Sequence, residues 1–224
     1  MDEFRRFKHY NDLLLTHVVF ALVCIPTSGK MIDVFGVPLS VSIFYFPFIY
    51  IVADVLTEVY GYSAARRVVW YGVLVQMVTT LIFSFVAWYP PSASFTQNDA
   101  FHSVLSTAPQ LVLFGTIAVF LGDICNNYVL ARMKVWTRGR AQGLRFVLST
   151  IVGQGVNTAF FYTFGLWGLL SGSFLVQSIA LASAVKIGVE VVMLPVTIRF
   201  AEWLKNREGV DVFDTETDFN PLKF

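Results

Sequence analysis

Two acids, Asp54 and Glu58, sit inside the apolar stretch FPFIYIVADVLTEVYGYSAARR, residues 46–67, which closes on the basic pair Arg66 and Arg67. Four residues apart, they share one helical face about a turn from each other. A carboxylate near the middle of a bilayer costs about 2.5–3.5 kcal/mol on insertion scales, so that face must look into protein or into a water-filled cavity. There it can accept N–H groups from a ligand or carry a proton. The same spacing recurs in Asp123 with Asn127 and in Lys186 with Glu190, and Gln154 and Asn157 add two amides. Two structural readings stand beside the chemical one. Lys186 and Glu190 fit a helix-internal ion pair, and Asn126, Asn127, Gln154 and Asn157 fit hydrogen-bonded contacts between helices.

The elements that must position these groups follow from composition. Of 224 residues, 56% are hydrophobic and 14% charged, too much apolar surface for a soluble domain of this size to bury. The class is all-α and polytopic. Apolar runs of about 20 residues predict six transmembrane helices, at about 12–30, 39–60, 68–89, 109–131, 146–167 and 174–200. Residues 1–204 form the transmembrane domain, and 205–224 form a polar tail expected to be disordered and solvated. Arg5, Arg6 and Lys8 before an apolar stretch resemble a signal peptide, but Ile25–Lys30 offers no small-residue cleavage site, so the stretch is read as the first helix. In this arrangement Lys and Arg concentrate on one side, from Lys8 through Arg66, Arg132 and Arg145 to Arg199, with Lys30 alone opposite. The positive-inside rule then makes both termini cytoplasmic and the protein a multi-pass protein of the inner membrane.

Counting inward from each basic edge puts Asp54, Asp123, Gln154, Asn157, Lys186 and Glu190 roughly 13–20 Å deep, with Glu58 shallower at about 12 Å. His17 and Gln76 reach the same level. In a core about 30 Å thick this is the midplane, where secondary transporters bind their cargo. The acids outnumber Lys186, so the layer suits a cation or a ligand rich in N–H donors. The aromatic run Phe44, Tyr45, Phe46, Phe48 and Tyr50 supplies stacking surface for a flat heterocycle, or else ordinary packing. Tyr45 and Phe48 are the members expected at the site. An acid beside such a slot accepts paired N–H groups from a guanine-like edge.

These residues resemble the queuosine precursor transporter family, also described as putative vitamin uptake transporters. The likeness rests on the stretch at 46–67, on LGDICNNYVLARMK at 121–134, RFVLSTIVGQGVNTAFF at 145–161 and AVKIGVEVVMLP at 184–195. It implies a six-helix importer of 7-deazaguanine precursors, of the 7-cyano or 7-aminomethyl type, that serve tRNA modification. By motif it carries over to Asp54, Glu58, Gly61 and Arg66; to Asp123 and Asn127; to Arg145, Ser149, Thr150 and Gln154; and to Lys186. One position departs: Asn157 stands where the family usually has Asp.

The implied partners are a small purine-like molecule and the bilayer, with no nucleic acid. No cofactor is implied, and no metal-ligand spacing surrounds Cys24 or Cys125. No P-loop is present, so an ATP-driven version requires a separate ATPase module, which remains an alternative. Small residues such as Gly153 and Gly155 are compatible with a homodimer. An intramembrane enzyme using Asp54, Asp123 and Glu190 is a third reading, but no nucleophile motif supports it. The chain is therefore expected not to be an enzyme.

Overall fold

Apolar side chains cover the outside of this molecule and charges fill its middle. Leu81, Val176 and Val192 are each at least 70% exposed, while Asp54, Glu58, Asp123 and Arg145 are fully buried. That inversion is what a bilayer solvent selects. The computed structural model describes residues 7–92, 94–106 and 108–223. Arg5 and Arg6 of the charge pattern lie outside them.

The described residues are mostly helical, with one small hairpin and a non-helical C-terminal segment. Helix α1 (Tyr10–Thr27) leads into strands β1 (Met31–Val34) and β2 (Val37–Ser40), paired antiparallel with Met31 opposite Ser40. A single 3-10 turn at Val41–Phe44 then precedes α2 (Pro47–Tyr60) and α3 (Tyr62–Trp88). Helix α4 (Asn98–Ser106) is short, and α5 (Ala108–Trp136), α6 (Gln142–Phe160) and α7 (Leu175–Glu208) complete the bundle. Among the described residues three stretches are long and apolar enough to cross a membrane: Tyr62–Trp88, Asn98–Trp136 and Gly172–Glu208.

Several predicted boundaries move, two of them around α2 for a local reason. The second helix starts at Pro47 rather than near residue 39, because Ser40 caps the 3-10 turn with its hydroxyl and Pro47 then takes the first helical turn. Its 14 residues span about 21 Å, short of a bilayer core. The stretch at 46–67 is also not one helix. Gly61, at φ +83°, ends α2 and opens α3, so Arg66 and Arg67 belong to the next element. A side chain at position 61 would be strained by that φ and would meet Val212 at 2.7 Å.

Helices α5 and α6 cross closely through Gly122 and Gly153. A Cβ on Gly153 would lie 2.8 Å from the Gly122 carbonyl oxygen and 2.7 Å from Asn126 Cβ. Gly153 is thus consumed inside the bundle, whereas nothing lies within 4 Å of a Cβ at Gly155. Beyond Phe160, α6 loosens into a π turn at Phe161–Gly165, and α7 carries Pro195 in its interior.

The expected tail boundary at 205 falls within α7, which continues to Glu208. Residues 210–223 are not a free, solvated tail but a strap across one end of the bundle. Both Asp214 carboxylate oxygens accept the Tyr62 backbone N–H, at 3.2 and 3.1 Å, capping α3 from about 150 residues away. Arg66 donates to the carbonyls of Asp218 and Asn220, and Trp70 to that of Pro221. Lys8 and His9 donate their backbone N–H groups to the Glu208 carboxylate, so the start of α1 and the end of α7 meet at this end of the bundle.

Candidate functional site

The buried polar groups sort into three layers along the bundle. Nearest the strap, Glu58 is an ion-cluster centre: Arg145 Nη2 reaches its two oxygens at 2.7 and 2.9 Å, Lys205 Nζ one of them at 2.7 Å, and Lys134 Nζ lies at 3.9 Å. Lys134 also donates to the Glu58 carbonyl and to Asp211. Glu58 therefore ties α2, α5, α6 and α7 together and does not face a cavity.

One turn further along α2 lies an acidic layer. Asp54 accepts from Asn126 Nδ2 at 2.5 Å and from Thr150 Oγ1 at 3.5 Å. Glu190 of α7 faces the same carboxylate and Thr150. His17 Nε2 approaches Asp123 Oδ2 to 3.5 Å, with Tyr50 beside them. Asn127 accepts from Thr57 at 3.0 Å, which uses it as a strut between α2 and α5. Neither amide atom of Gln154 has a hydrogen-bond partner, nor has either oxygen of Glu190. Such groups are costly to bury unpaired.

The third layer surrounds a cavity of about 50 Å³ between α1, α3, α5, α6 and α7. A single water needs about 10–15 Å³ by the same measure, so the space holds more than one. Lys186 is the only charged group on its wall. Its Nζ donates to Asn157 Oδ1 at 3.3 Å and Thr158 Oγ1 at 3.1 Å, and stands 4.1 Å from the centre of the Phe46 ring. Gln76, which accepts from Thr116 at 2.7 Å, brings a second amide. Phe46, Phe161 and Tyr162 supply aromatic wall, and Ser28, Ser40 and Ser42 close the side toward the hairpin.

The residues expected at one plane are thus divided. Asn157 and Lys186 line the cavity, and Gln76 joins them. Asp54, Asp123, Asn127, Gln154 and Glu190 are not on its wall; they form the layer beneath. Tyr45 contacts the Thr27 hydroxyl and Phe48 stacks on Phe20 at 5.6 Å, so the aromatic run contributes Phe46 instead. No ion pair joins Lys186 to Glu190 among the described residues. Sequence reasoning missed the three serines, Thr116 and Phe161; the serines and Phe161 come from the hairpin, the 3-10 turn and helix ends, and Thr116 is a lone hydroxyl inside α5, none of which leaves a spacing signal.

A family profile described as "Putative vitamin uptake transporter" matches residues 40–200, most of the chain and most of the elements that build these layers; α1, with His17 and Cys24, and Lys205 fall outside the match. The chain belongs to that family. This transporter is also 23% identical over 197 residues to a "Probable queuosine precursor transporter" of Bacillus subtilis (strain 168), covering 87% of this chain and 86% of the relative. No solved structure matches it. The family assignment makes it a membrane transporter of a small molecule, and the buried polar layers are what such a role requires of a lipid-clad bundle.

Proposed function

We propose that this transporter imports a 7-deazaguanine precursor of queuosine across the inner membrane, with six spans and both termini in the cytoplasm. The cavity around Lys186 carries the reading. Lys186 Nζ suits the keto oxygen of a deazaguanine, and the side-chain oxygens of Gln76 and Asn157 suit its N–H edge. Phe46 and Phe161 suit its flat ring. The relative's name supports the substrate class. Asp54 and Asp123, expected from sequence to hold the base, are assigned instead to the layer below it. Alternating access then moves the helices around a fixed midplane site.

The test uses cells unable to make or import 7-deazaguanines, supplied with each precursor at low concentration, with queuosine read out in tRNA. The expected result is recovery with the unmutated chain and loss with Lys186→Met at equal membrane abundance. No recovery with either precursor overturns the substrate assignment. Full recovery with Lys186→Met removes the cavity as the binding site.

A further inference from the structure

The cavity leaves Asp54 and Glu190 unexplained. Glu190 stands one turn from Lys186 on α7, about 6 Å along the axis. Its oxygens face the Asp54 carboxylate and the Thr150 hydroxyl without a well-formed hydrogen bond, although the residue is 1% exposed. Asp54, on α2, is fully buried and has only the Asn126 amide and a long contact from Thr150. Gln154, a turn beyond Thr150 on α6 and fully buried, has no partner on either amide atom. Polar atoms left bare on α6 and α7 mark a place built to hold something the chain itself does not supply.

Positive charge in the neighbourhood is already committed. On the strap side, Arg145, Lys134 and Lys205 all converge on Glu58. On the cavity side, Lys186 bonds Asn157 and Thr158 and rests on Phe46. From α1, His17 faces Asp123 of α5, and Tyr50 of α2 adds only a neutral hydroxyl there. Two acids side by side in a water-poor layer, with no cation between them, repel if both are ionised and bond if they share a proton.

We propose that Asp54 and Glu190 together hold one exchangeable proton and couple its movement to that of the substrate. The inference rests on the transport reading of the cavity. With the proton present, one carboxyl O–H donates to the other carboxylate and fastens α2 to α7. Its release leaves two like charges facing each other and drives the helices apart. Because α7 carries both Glu190 and the cavity's Lys186, the same displacement reshapes the binding site.

The experiment uses the full chain in liposomes, with labelled 7-cyano-7-deazaguanine outside and a pH-sensitive dye inside. Three measurements are made: exchange without a gradient, accumulation under an acid-outside gradient, and accumulation under an inward sodium gradient. Expected are exchange, at least tenfold accumulation under the pH gradient alone, and lumenal acidification on adding substrate. Any transport retained by Glu190→Gln or Asp54→Asn no longer responds to pH. The wild-type dye signal decides the matter even if both variants are inactive. Exchange without acidification, drive by sodium instead, or an intact pH response in both variants overturns the coupling while leaving the transport reading in place. Absence of exchange by the unmutated chain with this precursor and with the 7-aminomethyl one overturns both.

Discussion

Asp54 and Glu58 stand one turn apart on α2, and their surroundings give them opposite work. Glu58 is saturated with cations; Asp54 has none. Removing one partner from a buried ion pair costs about 3–5 kcal/mol, because the other charge is left uncompensated. Arg145→Ala should therefore lower the midpoint of thermal unfolding in detergent by roughly ten degrees. An unchanged midpoint would show that Lys205 and Lys134 suffice. The presence of both acids was legible in the sequence, since charge inside an apolar run is conspicuous. Their division was not, because the basic residues that claim Glu58 come from three other helices brought together only by the fold.

At the scale of elements, the sequence shows long helices well and broken ones poorly. Helices α3, α5 and α7 announce themselves by apolar length. The short α2 is hidden, because the hairpin and 3-10 turn before it are also apolar and extend the run. Gly61 looked like one residue inside a motif; only its positive φ and the strap above it reveal an element boundary. The Gly122 and Gly153 crossing makes a sharper claim about packing. Gly153→Ala must push α5 from α6, at about 1–3 kcal/mol, the usual cost of overfilling a tight interior. Gly155→Ala, whose added Cβ meets nothing within 4 Å, should be neutral or slightly stabilising, since Ala favours a helix by about 1 kcal/mol over Gly. A thermal-shift comparison of the two variants checks this; equal effects would contradict the close crossing.

Across the whole molecule, the strap makes residues 210–223 part of the bundle's closed end. Asp214→Ala should cost about 1 kcal/mol through loss of the α3 cap, and should speed hydrogen exchange in the first turn of α3. The ionic contacts of the strap carry a pH signature. Burial raises the Asp211 carboxyl, but its hydrogen bonds and ion pairs with Lys134 and Lys205 outweigh this and hold it below its ordinary value. The backbone N–H of Asn220, followed by Lys223, does the same for Asp218. Folded values below the unfolded value, about 3.9 for Asp, mean that this contribution is complete above roughly pH 4 and fades as pH falls through the folded values. Strap peptides should keep constant protection from exchange between pH 7 and 5, corrected for intrinsic rates, and lose it below about 4. Loss already at pH 6 would assign the strap's hold to other groups. Composition pointed to a solvated tail here, because a segment whose acids pair with distant bases reads locally like one that merely dissolves.

The distant cap on α3 also sets an order of events during synthesis. Helices α1 to α6 can be made and inserted while the first turn of α3 still lacks its acceptor, since Asp214 emerges only after all of α7. A ribosome that stops between the end of α7 and that codon leaves a bundle with every long helix present and one end unlatched. For a membrane protease patrolling new proteins, the latch separates a finished translation product from an interrupted one.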